Sequence, residues 1–334
     1  MKTFGKMIAV AAALVAMGGV ASAQSTIKLA IGGASCLCYL PTVLTKQLGN
    51  FKKAGLDVQL IDFKGGSQAL TAVIGGSADV VSGYFDHTVE LAAKKQQLQS
   101  FVVYDRYPGL VLVVAPGETG KITSIKDLKG KKVGVSAPGS STDFFLKYEL
   151  KKNGLSTDAA SVIGVGLGGT AIAAMERGSI DAAVMLDPAV TVLQQKYKDL
   201  KILVDTRTQA DTEKAFDGDY PGGAFYTRVA WLKDHPKEAR AMAGAVVETL
   251  HWIHSHSAED IMNKMPPEMV GKDKQAYLAA LKNTIPMYSN DGMMDPKGAE
   301  AVLNVFSVGS PDVAKANIDI KSTYTNDFVG KPAK

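Results

Sequence analysis

The sequence has few of the residues that define several common classes of protein. Its 334 residues include only two cysteines, so a framework of disulfide bonds is excluded. Lysine and arginine together number 37 against 33 acidic residues, a balance too even to indicate a nucleic-acid partner. Because 46% of the residues are hydrophobic and 21% are charged, the composition fits a globular protein with a sizeable core.

Long apolar runs are also missing beyond the first 23 residues. Lys2 and Lys6 precede an uncharged run over 7–20, and Ala21 and Ala23 flank Ser22 in the pattern of a cleavage site. This arrangement predicts a secretory signal peptide, too short to span a bilayer. We therefore expect an exported protein whose mature chain begins at Gln24.

An internal repeat organises the rest of the chain. The segment 66–79 resembles the segment 168–181, at a constant offset of 102 residues, and each copy ends in Gly-Ser-x-Asp. Such a long period does not fit a solenoid. It predicts an α/β protein of two similar lobes, each a largely parallel sheet flanked by helices, with a ligand cleft between the lobes.

Hydrophobic periodicity places the main elements. Apolar residues on one face predict a helix over 40–51, and Ser140 or Ser141 is the expected N-cap of a helix over 142–152. From Trp231 onward the pattern is mostly helical with breaks at prolines. The β-branched and aliphatic runs predict strands at 27–31, 58–63, 101–104, 110–115, 132–135 and 201–204.

Three segments resemble a known family. The run 125–135 (IKDLKGKKVGV), the run 64–70 (KGGSQAL) and the run 231–239 (WLKDHPKEA) resemble substrate-binding proteins of ABC importers. The similar group is the nitrate/sulfonate/taurine and thiamine-pyrimidine-precursor type. The resemblance implies two lobes joined by crossover strands near 111–115 and 222–226. The expected division is then a signal peptide (1–23), lobe one (24–112), lobe two (113–223) and the return to lobe one with C-terminal helices (224–334).

The resemblance also implies a function. We expect a monomeric periplasmic receptor that closes on a small organic solute and delivers it to an ABC permease in the membrane. It implies no enzyme activity, no cofactor, no metal and no nucleic-acid partner. Two alternatives stay open, an enzyme like the pyrimidine-precursor synthases of the same superfamily and a sensory binding protein.

The candidate site residues lie in loops that follow predicted strands, because ligands of open α/β sheets bind beyond the carboxyl ends of the strands. The resemblance points to the same loops. The candidate ligand-binding residues are Ser35, Cys36, Cys38, Tyr39, Gly66, Ser67, Tyr84, Asp86, Ser140, Ser141, Thr142, Gly169, Thr170, Asp187 and Tyr226.

Chemistry gives these residues different expected roles. Tyr39, Tyr84 and Tyr226 can hold a flat solute or simply pack in the core. Asp86 and Asp187 can accept hydrogen bonds from an amine or can cap a local turn. The hydroxyls at 140–142 can bind an anion at a helix start or serve as ordinary caps.

The pair Cys36 and Cys38 allows four interpretations. A disulfide across one residue closes a small strained ring, and metal or thiol chemistry would need further partners. We therefore expect two small polarisable groups on the pocket floor. The chain has five arginines, which argues against a clamp for an inorganic oxyanion. The expected solute is aromatic, heterocyclic or sulfonate- or carboxylate-bearing. Its flat apolar body lies on lobe one, and its polar acceptor end, a carboxylate, sulfonate or ring carbonyl, faces lobe two.

Overall fold

The structure is a computed structural model that describes residues 26–330. The expected signal peptide lies outside these residues. Ten strands form two five-stranded sheets. The first sheet contains β1 (Thr26–Ile31), β2 (Asp57–Asp62), β3 (Val80–Tyr84), β4 (Leu98–Val103) and β10 (Gly223–Arg228). The second sheet contains β5 (Val111–Val114), β6 (Lys132–Val135), β7 (Ser161–Gly164), β8 (Ala182–Met185) and β9 (Ile202–Asp205).

Helices flank both sheets. The helices that precede β10 in the chain are α1 (Leu40–Gln47), α2 (Asn50–Lys53), α3 (Gly66–Ile74), α4 (Asp86–Ala93), α5 (Ser141–Lys152), α6 (Gly169–Glu176), α7 (Ala189–Lys196) and α8 (Gln209–Phe216). The C-terminal helices are α9 (Val229–Asp234), α10 (Pro236–Ser255), α11 (Ala258–Lys264), α12 (Pro267–Val270), α13 (Lys274–Thr284), α14 (Pro296–Gly309) and α15 (Pro311–Lys315). No helix within residues 26–330 is long and apolar enough to cross a membrane.

The two sheets have the same plan, which confirms the two-lobed α/β fold. Their strand orders are β2-β1-β3-β10-β4 and β7-β6-β8-β5-β9. In each sheet the first three strands are parallel, and the fourth is antiparallel to both of its neighbours. We call the first sheet with its helices and the C-terminal helices the first lobe, and the second sheet with its helices the second lobe.

The sequence repeat has a physical cause at its Gly-Ser-x-Asp ends. Asp79 accepts a hydrogen bond from the backbone N–H of Lys28 at 2.8 Å, and Asp181 accepts one from Lys132 at 2.7 Å. In both lobes the carboxylate therefore ties the turn after a helix to the start of the neighbouring parallel strand. Gly76 and Gly178 precede these turns with φ of 75° and 65°, a conformation that favours glycine.

The chain passes between the lobes just before the positions expected for the crossings. β4 ends in the first sheet and β5 begins in the second, so the first crossing is 104–110. The return crossing is 206–222, because β9 lies in the second sheet and β10 in the first. Gly223 is needed at the end of the return, since a Cβ there would lie 2.1 Å from the ring of Tyr104.

Two details of the helices bear on the sequence pattern. One differs from the prediction, and the other explains it. The single helix expected over 40–51 is divided into α1 and α2 by Gly49, which has a φ of 72°. The prolines expected to break the C-terminal third do mark breaks, and Pro236, Pro267 and Pro296 each begin the helix that follows. Proline suits the first helical turn because its missing N–H would have no partner there.

Candidate functional site

The carboxyl ends of the strands in the two lobes face each other and their loops are in direct contact. A Cβ on Gly65 would lie 2.9 Å from the Cβ of Ala137 in the opposite lobe. The backbone N–H of Ser67 donates to Oγ of Ser140 at 3.0 Å, and the N–H of Leu37 donates to the carbonyl of Asp187 at 2.9 Å. These contacts define a cleft whose walls come from both lobes.

Asp86 lies at the centre of this cleft. It is the first residue of α4 and is fully buried. One carboxylate oxygen accepts from the Ser141 hydroxyl at 2.7 Å, and the other accepts from the Tyr220 hydroxyl at 3.1 Å. Burial raises the pKa of Asp86 above its usual value, although His87 and the two hydrogen bonds oppose this rise. Asp86 thus joins the first lobe, the second lobe and the return crossing.

His87 follows Asp86 in α4 and contacts both Tyr226 and the second lobe. Its Nδ1 lies 2.8 Å from the hydroxyl of Tyr226, and its ring meets Phe144 of the other lobe edge to face at 6.0 Å. Nε2 is buried and has no hydrogen-bond partner within residues 26–330. Burial lowers the pKa of His87, so the neutral imidazole is favoured. A Cβ on Gly66 would lie 2.7 Å from Cε1 of this ring, which explains the glycine.

Two tyrosines that the sequence analysis assigned to an aromatic wall pack against each other in the first lobe. The rings of Tyr39 and Tyr84 meet edge to face with centroids 6.2 Å apart, and both are buried. The Tyr84 hydroxyl donates to the carbonyl of Pro108 in the first crossing at 2.5 Å. Desolvation raises the pKa of both phenols, so both stay neutral donors.

Asp105 is a buried carboxylate that the sequence analysis did not single out. It lies in the first crossing, and one oxygen accepts from the backbone N–H of Gly223 at 3.1 Å. Its Oδ1 has no partner within the described residues, and burial raises its pKa well above the usual value. Asp105 and Tyr220 were missed because both stand in crossing segments without a motif.

Three of the predicted site residues make hydrogen bonds to neighbouring parts of the protein. Oγ1 of Thr142 accepts from the N–H of Ser136 at 3.0 Å and so shapes the loop before α5. One oxygen of Asp187 accepts from the N–H of Thr191 at 2.9 Å, and the other lies 3.3 Å from Arg207. The Thr170 hydroxyl donates to the carbonyl of Leu167 at 3.2 Å.

Three further candidates lie at the edge of the cleft. Ser35, Gly169 and Thr170 are exposed. Ser35 faces the second lobe, because a Cβ on Gly168 would lie 3.3 Å from its Oγ. Tyr39, Tyr84, Asp86 and Ser141 are therefore buried between the lobes. Ser35, Gly169 and Thr170 instead lie at the rim.

The structure corrects the expectation for the cysteines. Cys36 and Cys38 are joined by a disulfide and are buried at the start of the segment that leads into α1. The bond encloses Leu37, whose N–H donates to Asp187 of the second lobe and whose carbonyl accepts from the Tyr288 hydroxyl at 2.8 Å. The pair is therefore a disulfide that fixes a loop in contact with the opposite lobe, and not two free thiols.

The start of α5 already holds a carboxylate. Asp143 accepts from the backbone N–H of Gly139 at 2.7 Å and pairs with Lys147 at 2.9 Å. Ser140 is the N-cap residue but makes no capping hydrogen bond, because its hydroxyl contacts Ser67 of the other lobe. A negative side chain in the first helical turn opposes the binding of an anion there.

Comparison with known proteins gives the same fold. The family profile described as NMT1/THI5 like matches residues 39–260. A solved structure from Bordetella bronchiseptica RB50 has 38% identity and a TM-score of 0.88, covering 91% of this chain and 96% of that chain. The alkanesulfonate-binding protein SsuA from Xanthomonas axonopodis pv. citri, bound to MOPS, has 16% identity and a TM-score of 0.66 over 85% and 92% of the two chains. The periplasmic nitrate-binding protein NrtA from Synechocystis PCC 6803 has 14% identity and a TM-score of 0.65 over 92% and 87%.

The paired sheets, the double crossing and the cleft between the lobes define the class. This is the fold of the periplasmic substrate-binding proteins of ABC importers. The chain belongs to the NMT1/THI5-like family, since the profile covers most of it and a relative at 38% identity spans nearly its full length.

Proposed function

We propose that this protein is an exported receptor that closes its two lobes on a small organic solute and delivers the solute to an ABC permease. The buried hydrogen bond between Ser141 and Asp86 carries this proposal. A buried carboxylate that bridges two lobes is a strong, directional acceptor, and its burial costs free energy unless it is well paired. A solute that enters the cleft can take over this acceptor and hold both lobes.

The charge of the cleft supports a solute that donates hydrogen bonds. Asp86 and Asp105 are both buried, and Asp105 has an oxygen without a partner within the described residues. Arg207 contacts the edge of the cleft but is engaged by Asp187 and Asp205 at 3.3 and 2.7 Å. An anion would meet the buried carboxylate of Asp86 without a free cation among the contacts described above, so the proposed solute is neutral or cationic.

The aromatic wall supports a flat solute. The rings of Tyr39 and Tyr84 offer both faces and edges, and their neutral hydroxyls can donate or accept. Together with Asp86 they suit an aromatic or heterocyclic amine. The relatives named for alkanesulfonate and nitrate carry anionic ligands by their names, so this chain is proposed to differ from them in ligand charge.

The test is to identify what the native protein carries. The purified protein is denatured and the released small molecules are analysed by mass spectrometry, with the Asp86→Asn variant purified in parallel. We expect a flat amine-bearing solute with the parent and a strongly reduced amount with the variant. A sulfonate or another anion would overturn the proposed ligand charge. Conversion of the returned solute into a product would favour an enzyme instead.

A further inference from the structure

A cavity of about 260 Å³ lies between the lobes, beside the cleft centre and along α4 and α5. The first lobe contributes Ala93 of α4, Phe306 of α14 and Val313 of α15. The second lobe contributes Phe144 and Tyr148 of α5 and the loop residue Thr157, and the return crossing contributes Phe216 and Tyr220. None of the candidate site residues predicted from the sequence lines it.

Aromatic rings from both lobes make up its wall. Phe144 meets Phe306 of the opposite lobe edge to face at 4.5 Å. Phe216 stacks on Tyr220 at 4.6 Å and lies 5.4 Å from the ring of Tyr148. Ring faces and edges of this kind favour apolar molecules, because binding removes apolar surface from water.

Four polar side chains at the cavity already have partners. The Tyr148 hydroxyl donates to the carbonyl of Ala215 at 3.1 Å, and the Tyr220 hydroxyl donates to Asp86. Lys94 and Lys147 at the rim each pair with a carboxylate of their own helix. The wall therefore presents ring faces and edges to a ligand, and a charged ligand would gain no free counter-charge from these lysines.

We propose that this cavity is a second ligand site, distinct from the cleft centre, that takes up an uncharged aromatic molecule of one or two fused rings. Apolar cavities of roughly 150 Å³ take up benzene, so a cavity of 260 Å³ has room for a bicyclic ring. Because the wall is complete only when both lobes meet, occupancy favours the closed arrangement. By linkage, closure on a solute must tighten this site equally. The site does not depend on which solute the cleft binds.

The first test uses indole as the probe and isothermal titration calorimetry as the measurement. We expect a Kd below about 1 mM for the parent and at least tenfold weaker binding to Thr157→Trp, because Thr157 lines the cavity and the larger side chain would occupy part of it. Ser156→Trp is the matched control, since Ser156 is exposed, adjacent and absent from the wall. The charged analogue indole-3-acetate should bind more weakly than indole. Equal binding of indole to all three proteins, or no binding to the parent at millimolar concentration, would overturn the proposal.

The second test uses the parent protein, so it remains valid if the Thr157→Trp variant fails to fold. In the parent protein labelled with ¹³C-tyrosine, indole should shift the ring signals of Tyr148 and Tyr220. The buried Tyr277, among the C-terminal helices, should not shift. Shifts at Tyr39 and Tyr84 in place of Tyr148 and Tyr220 would put indole in the cleft centre and contradict a second site.

Discussion

The hydroxyl of Ser141 donates to a carboxylate oxygen of Asp86 at 2.7 Å, although the two residues belong to different lobes. Each lies in the first turn of its own helix, so the starts of α4 and α5 converge on one buried carboxylate. Backbone N–H groups and the helix dipole both favour a negative charge at such a point. The two lobes therefore meet at one hydrogen-bond acceptor, the Asp86 carboxylate, which a solute bound between the lobes can use.

Replacing Asp86 by asparagine should weaken binding of the co-purified solute about ten- to a hundredfold. A hydrogen bond to a charged group contributes about 1.5–3 kcal/mol, and the asparagine keeps the shape but loses the charge. Titration calorimetry measures the change. Glu90→Gln is the control, because Glu90 lies one turn further along α4 and pairs with Lys94. Equal losses in the two variants would contradict a specific role for Asp86.

Binding to the parent should also weaken in acid. Burial raises the pKa of Asp86, so the carboxylate takes up a proton above the pH at which an ordinary aspartate does. A proton on Asp86 removes the charge that the solute's donor needs. Affinity measured in a pH series should fall as the pH drops through this raised pKa, and Asp86→Asn should show a flatter profile. An affinity that rises in acid would indicate an anionic solute.

Gly65→Val should prevent full closure without unfolding either lobe. Gly65 has an extended backbone that valine adopts readily, and the three atoms nearest to its missing Cβ all belong to the second lobe. Solute affinity should drop at least tenfold, and small-angle scattering should show a larger radius of gyration with solute than in the parent. Gly117→Val, at a position with no atom within 4 Å of the added Cβ, is the matched control and should behave like the parent.

Local pattern was enough to predict many elements of this fold, although it gave no bounds for β3, β7 or β8. The strand Lys132–Val135 matches its predicted bounds, and the Gly-Ser-x-Asp ends of the repeat anchor equivalent strands in both lobes. The division of the first helix at Gly49 was missed, because one face stays apolar across the break. A positive φ at a single glycine does not disturb hydrophobic spacing.

The centre of the site was harder to predict. Asp86 and Ser141 could each be placed after a strand, but nothing local says that they meet, since 55 residues separate them. Asp105 and Tyr220 lie in parts of the crossings that belong to no strand or helix, so no periodic pattern marks them. The role of Cys36 and Cys38 depends on the loop that they enclose, and sequence spacing does not specify the contact of Leu37 with Asp187.

Glu149→Gln should stabilise the protein above neutral pH. Burial raises the pKa of Glu149 to about 7, and one of its oxygens has no partner within the described residues. The unfolded chain releases this proton near pH 4.3, so the folded state binds it more tightly, and stability falls as the pH rises towards 7. The variant avoids this loss. Its free energy of unfolding should exceed that of the parent by about 1–3 kcal/mol at pH 8 and by little at pH 4.

Urea denaturation at several pH values measures this difference. Glu248→Gln is the control, because Glu248 is largely exposed and lies 3.8 Å from Lys53 at the surface. It should change stability by less than about 1 kcal/mol at every pH. A Glu149→Gln variant that is less stable than the parent at pH 8 would show that the carboxylate has a compensating partner.

Replacing Cys36 and Cys38 by serine should affect binding more than stability. The disulfide closes a very short loop, so it restricts the unfolded chain little. It does fix Leu37, and ordering one freed residue costs about 1–2 kcal/mol, or roughly tenfold in affinity. We expect the melting temperature to change by only a few degrees, while solute affinity falls about tenfold. Reductant should reproduce the loss in the parent and have no effect on the variant.

The most direct measurement is the radius of gyration of the full mature protein before and after its own solute is returned. The solute is removed by reversible denaturation, the protein is refolded, and small-angle scattering is recorded with increasing amounts of the extracted molecule. A receptor that closes around Asp86 and Ser141 becomes measurably more compact as the solute saturates it. An unchanged radius of gyration at saturation, with binding verified by calorimetry on the same sample, would contradict closure as the mechanism.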